Sequence, residues 1–99
     1  MSHEAVCVLN TSDRAAAITL TIYFEDREPL DRFAAVCPAR RTNHIRLDRA
    51  RNEDGMAVPR GVPYAIRVSS DIPVIVQHSR LDTSQEALAL FTTIAYPVE

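Results

Sequence analysis

The sequence predicts an all-β protein, a small antiparallel β-sandwich of about seven strands. Three observations predict it. Short segments of alternating apolar and polar residues recur along the chain, and clusters of turn-forming residues separate them. No stretch carries a convincing helical apolar stripe.

The elements follow in order. Ala5-Val6-Cys7-Val8-Leu9 is an apolar run stopped by the turn cluster Asn10-Thr11-Ser12-Asp13. From Ala17 to Phe24, Ile18, Leu20, Ile22 and Phe24 share one face, and Thr19, Thr21 and Tyr23 share the other. Glu25-Asp26-Arg27-Glu28-Pro29 ends that strand. Phe33 to Val36 reads as a short strand closed by Pro38. Thr42 to Leu47 alternates again, with Ile45 and Leu47 opposite His44 and Arg46. Asp48 to Pro63 reads as a loop with room for one helical turn, and as the most mobile part. Tyr64 to Ser69 alternates. Pro73 to Leu81 is a strand that begins at proline, a position where proline is tolerated. Ala87 to Tyr96 mixes helical and strand signals and is taken as a strand preceded by a loop.

Composition narrows the function classes. The 99 residues are expected to form one domain, 1–99. So short a chain buries a modest core, and association is a common way to add stability. A net charge of -2 argues against a nucleic-acid partner, whose binder is normally strongly basic. There is no apolar run of transmembrane length and no secretory segment, so a cytoplasmic location is expected. All 11 cationic residues are arginine, which excludes Schiff-base lysines and a Walker A loop. Gly55 and Gly61 are the only glycines, so no glycine-rich phosphate loop exists. Cys7 and Cys37 read as buried free thiols. His3, His44 and His78 have no metal-ligand spacing, and no serine or cysteine has a visible base. No enzyme activity, metal or cofactor is expected.

One pattern points to a site. His-x-Arg-Leu-Asp occurs twice, at His44–Asp48 and His78–Asp82. On a strand, residues i, i+2 and i+4 share a face, so each copy lines up an imidazole, a guanidinium and a carboxylate. The functional reading is a polar ligand site built from Arg80, His78, Asp82, Gln77, Arg46 and His44. Gln77 would point to the opposite face of a regular strand. The competing reading is an ion-pair row holding a turn or a subunit contact. Arg40 and Arg41, with His44 and Arg46, form a positive patch suited to partner docking, and Glu25, Asp26, Glu28 and Asp31 supply its complement. Protective charge on an edge strand accounts for the same arginines.

Five segments are familiar in this order: Glu4-Ala5-Val6-Cys7-Val8-Leu9-Asn10, Ile22-Tyr23-Phe24-Glu25-Asp26-Arg27-Glu28-Pro29, Pro38-Ala39-Arg40-Arg41-Thr42-Asn43-His44-Ile45-Arg46, Ile72-Pro73-Val74-Ile75-Val76-Gln77-His78-Ser79-Arg80-Leu81-Asp82 and Thr93-Ile94-Ala95-Tyr96. Together they resemble the Anabaena sensory rhodopsin transducer family over nearly the whole chain. The resemblance implies a small cytoplasmic β-sandwich that assembles as a homotetramer, with a binding and signalling role and no catalysis. It implies a signalling-protein partner, a membrane photoreceptor in the family's namesake, and a sugar or related metabolite as ligand. The namesake carries a further segment before the position of Glu4, rich in aromatic, glycine and proline residues. An edge strand left exposed here is expected to need another cover.

Overall fold

The computed structural model describes the backbone of residues 2–82 and 89–94 and the side chains of residues 4–79. Seven strands are present: β1 Ser2–Asn10, β2 Ala16–Phe24, β3 Leu30–Cys37, β4 Arg41–Arg46, β5 Tyr64–Ser70, β6 Ile75–Asp82 and β7 Ala89–Ile94. They form a four-stranded sheet, β4-β1-β6-β7, and a three-stranded sheet, β3-β2-β5, with every pairing antiparallel. The all-β sandwich that the alternation implied is therefore observed. The boundaries moved modestly. β1 reaches back to Ser2, β3 starts at Leu30, and β6 starts at Ile75, beyond Pro73.

β2 is the centre of the small sheet, and its inner face explains the core. Ile18, Leu20 and Ile22 are at most 2% exposed, while Thr19 and Tyr23 face out. Val6 and Val8 of β1 meet them from the other sheet, and Phe33, Cys37 and Leu47 fill the side where β3 passes over β4. Truncating a side chain such as Leu20 to Ala costs about 2–5 kcal/mol in sites of this kind.

Two buried asparagines hold the loops. Asn10 is wholly buried at the end of β1. Its Nδ2 donates to the carbonyls of Arg14 (2.7 Å), Cys37 (3.0 Å) and Pro38 (3.3 Å), and its Oδ1 accepts from the backbone N and Oγ of Ser12. One side chain thus ties the β1–β2 turn to the end of β3. Asn52 plays the same part in the long loop. Its Nδ2 donates to the Asp31 carbonyl at 3.1 Å, and its Oδ1 accepts from the backbone N of Asp54 and Met56. The loop expected to be the most mobile is therefore tethered through residues 52–56. Its anchor is a bulge in β3, where Asp31 and Arg32 stand opposite Thr21 and Arg32 takes a φ of 65°.

The cysteines differ. Cys37 is buried and its thiol points at the carbonyls of Val8 and Arg41. Cys7 is half-exposed, contrary to the expectation of two buried thiols. The reason is parity: in β1 the even residues Val6 and Val8 face inward, so Cys7 faces out.

Candidate functional site

The register places the histidines of the two His-x-Arg-Leu-Asp copies on opposite faces of the same sheet. In β4 the inward residues are Ile45 and, just beyond the strand, Leu47, so His44 and Arg46 face out. Val74, just before β6, and Val76 within it face inward, so His78 continues on the inner face. Among the described side chains, His44 and Arg46 therefore lie on the opposite face of the sheet from His78.

On the inner face, His78 lies opposite Val6 in the register, two pairs from the position where Glu4 meets Arg80. Its Nε2 is 2.9 Å from Oε2 of Glu4, and the same oxygen accepts the hydroxyl of Tyr64 at 2.7 Å. Glu4 and His78 belong to the four-stranded sheet and Tyr64 to the three-stranded one. One carboxylate oxygen thus bridges the two sheets at their rim. The Glu4 and His78 side chains are 26% and 40% exposed, so the cluster is open to solvent on one side. Neither Glu4 nor Tyr64 stood among the sequence candidates. The available signal was parity: Glu4 is in phase with Val6 and Val8, and Tyr64 with Ile66 and Val68. A polar group in phase with an apolar stripe needs a partner. The backbone of Arg80 sits beside Glu4 and that of Asp82 opposite Ser2, while their side chains lie outside the described residues.

On the outer face, Cys7 is flanked in register by His44 on one side and Gln77 on the other. Together with Leu9, Ile75 and Ser79 they line an open concavity of about 520 Å³. Its floor is made of small side chains, with Cys7 Sγ 3.4 Å from Ser79 Oγ. Leu9 and Ile75 form apolar walls, 42% and 52% exposed. Arg46 is on this outer face too. Its guanidinium grips Asp48 in a two-pronged ion pair at 3.0 and 2.6 Å, the satisfied pair that the competing reading required of such a motif.

The positive patch is split as well. Arg40 in the β3–β4 turn and Arg41 at the start of β4 are exposed; Arg40 has a φ of 54° and its N–H donates to the Ser12 carbonyl. The Asn10 network brings the exposed Arg14 to the same end of the sandwich. Two of the four residues of the acidic complement, Asp26 and Asp31, are engaged by nearby arginines. Asp26 pairs with Arg27, and Arg32 engages Asp31, Glu53 and Asp54. The hydrogen bond from Arg27, aided by its charge and opposed by slight desolvation, holds the Asp26 carboxyl below its ordinary range. Arg27 also lies over the Phe24 ring, 5.3 Å from its centroid. Among the described residues no group of three or more His, Cys, Asp or Glu is placed to hold a metal ion, and no helix is long and apolar enough to cross a membrane.

A sandwich of seven short antiparallel strands, with its polar clusters at strand ends and sheet faces, defines the class: a small all-β domain. The particular family follows from comparison. The family model for the Anabaena sensory rhodopsin transducer matches residues 1–97, and the chain belongs to that family. The chain is similar to the crystal structure of Thermotoga maritima 1070, at 36% identity and a TM-score of 0.83, over 97% of this chain and 77% of that one. It is also similar to the Anabaena sensory rhodopsin transducer, at 40% identity and a TM-score of 0.74, over 83% of this chain and 70% of that one. No curated protein matches it.

Proposed function

We propose that this chain is a non-enzymatic cytoplasmic signalling module, one domain over residues 1–99, that works as a homo-oligomer. It binds a small hydroxyl-rich ligand, a sugar or related metabolite, and relays its state to a protein partner. Kinship with a protein named as a sensory rhodopsin transducer supports the signalling role and makes a membrane photoreceptor one candidate partner. The observation that carries the ligand reading is the Glu4 bridge. A ligand hydroxyl competing for that carboxylate would exchange a contact between sheets for a contact to ligand, and so change how the sheets are coupled. Arg80, whose backbone pairs with Glu4 in the register, would contribute a forked donor.

The test is a thermal-shift panel of sugars, sugar acids and anionic metabolites. At about 100 times its dissociation constant a ligand stabilises by roughly 2.7 kcal/mol. A dose-dependent shift lost in Glu4→Gln and Arg80→Ala supports the reading. No shift across the panel overturns it.

A second reading is favoured by the apolar outer concavity. There the module docks protein without a small ligand, through the Leu9 and Ile75 walls, with Arg40 and Arg41 steering an acidic partner. Nucleic acid is not the expected partner.

A further inference from the structure

At one end of the sandwich the β1–β2, β3–β4 and β5–β6 turns come together. Asn10 and the Arg40 N–H lock the first two to each other, and Asp71 hydrogen-bonds to Ala17 at the start of β2. This tip exposes three arginines, Arg14, Arg40 and Arg41. Elsewhere Arg27, Arg32 and Arg46 are each neutralised by a neighbouring carboxylate. Among the described residues, none of the three tip arginines is in an ion pair. The tip's own carboxylates are Asp13, which is exposed, and Asp71, whose Oδ1 accepts the Ala17 N–H. Arg40 holds a left-handed φ of 54°, an uncommon conformation for a residue with a side chain. Exposed guanidiniums on turns fixed in this way are placed to meet anionic oxygens from outside the chain.

The same tip carries exposed apolar side chains. Leu9 is next to last in β1, Ile75 is first in β6, and the two pair in register. Val36 is next to last in β3 and 58% exposed. Parity puts Leu9 and Ile75 on the outer face of the four-stranded sheet and Val36 on the outer face of the three-stranded one. The apolar residues therefore flank the basic tip on both sides. A peptide seated against Leu9 and Ile75 would leave Val36 and Arg14 in water. A broad, yielding surface drawn over the whole tip takes both flanks at once.

We propose that this tip docks onto the surface of an anionic lipid bilayer. Arg14, Arg40 and Arg41 meet lipid phosphates, while Leu9, Val36 and Ile75 enter the boundary between headgroups and acyl chains. The depths agree. Each apolar residue lies at the end of its strand or one residue from it, about 3–4 Å, and interfacial apolar side chains sit ~5–10 Å into that boundary. Docking of this kind needs no spanning segment, and charge and apolar area together hold a protein more firmly than either alone. The chain is acidic overall, so the attraction is confined to this tip and sets the orientation of the molecule. The Glu4 bridge lies at the opposite end of β1, so the surface goes beyond the ligand reading. It competes with protein docking at the Leu9 and Ile75 walls, and Val36 tells the two apart.

The test is flotation of the full 99-residue chain with vesicles of pure phosphatidylcholine and with vesicles of roughly two parts phosphatidylcholine to one part phosphatidylglycerol. Binding to the mixed vesicles should exceed binding to the pure ones and fall as salt is raised. Arg40→Gln/Arg41→Gln should weaken it about 30-fold, roughly fivefold for each charge removed. Val36→Asp should remove most of it, and so should Leu9→Asp/Ile75→Asp. All five positions are exposed, so each variant should keep its melting temperature, and the salt dependence tests the wild type without any substitution. A wild type that binds neither kind of vesicle overturns the proposal. Equal binding to both kinds, or full binding by the arginine variant, overturns the anionic-lipid assignment. Loss in Leu9→Asp/Ile75→Asp with full binding in Val36→Asp overturns the two-flanked geometry. A chain that ignores vesicles but captures a protein through Leu9 and Ile75 leaves the docking reading standing, so the two fail separately.

Discussion

Tyr64→Phe isolates the contact that joins the two sheets at the candidate site. It deletes one oxygen, leaves the ring among its neighbours, and strands one hydrogen-bonding position on Glu4. The lost bond is short, 2.7 Å, and its acceptor is a carboxylate. Bonds to charged groups are worth about 1.5–3 kcal/mol. Glu4 is 26% exposed, so water can replace part of what is lost, and the lower end of that range applies. The expected cost is about 1.5 kcal/mol, a drop of roughly 6–12 °C in melting temperature for a chain of this size. Scanning calorimetry at neutral pH gives the single value. A double-mutant cycle with Glu4→Ala assigns it, because the Phe substitution should cost little once the carboxylate is gone. Contacting pairs couple by 0.5 kcal/mol or more. If the two substitutions add to within about 0.3 kcal/mol, the hydroxyl and the carboxylate do not stabilise each other, and the bridge is not what links the sheets.

Other expectations follow from the same geometry. Asn10→Ala should destabilise by about 3–4 kcal/mol in chemical denaturation, since a fully buried amide and several hydrogen bonds of ~1 kcal/mol each are lost; a loss under about 1 kcal/mol would mean that the two turns are held by something else. Asn52→Ala should speed amide hydrogen exchange at Asp54 and Met56, whose N–H groups it caps, and leave the β2 amides protected. Carbon-13 NMR should show Asp26 titrating below an ordinary aspartate, with Arg27→Gln moving it back up. Because the folded-state value is the lower one, any stability from this pair is present above the unfolded-state value and lost as pH falls through the folded one; full exposure makes it too small to set the acid limit of the fold. Leu9→Asp with Ile75→Asp should abolish capture of a docking partner with little change in melting temperature, because both side chains are already exposed; unchanged capture would remove the outer concavity as a docking face.

The strand pattern was legible because a half-buried strand writes its orientation into alternate residues. Ile18, Leu20 and Ile22 against Thr19, Thr21 and Tyr23 needed no structure to sort. The same parity already showed that His44 lies opposite Ile45 while His78 lies in phase with Val76, so the histidines of the two like-sequenced copies face opposite ways. A repeated pentapeptide draws the eye to composition, but on a strand its meaning is set by the apolar neighbours on either side. What could not be read was the pairing of distant segments. Glu4 and His78 are 74 residues apart, and only the β1–β6 register brings them together. Asn10 and Asn52 looked like ordinary turn residues, since nothing local distinguishes a buried asparagine capping three carbonyls from one that faces water.

The sandwich is closed on its β3 side and open on its β5 side, which gives these separate features a common logic. The bulge, the carbonyl capped by Asn52 and the buried Phe33 all lie on the β3 side, and the half-buried Tyr64, Ile66 and Val68 lie on the β5 side. The Glu4 bridge is on that open side too, since Tyr64 is the first residue of β5. Any ligand that draws Glu4 away from Tyr64 would exchange a contact between the sheets for a contact to ligand. By linkage, whatever ligand binding does to the coupling of the sheets, that coupling must do to ligand affinity by the same factor.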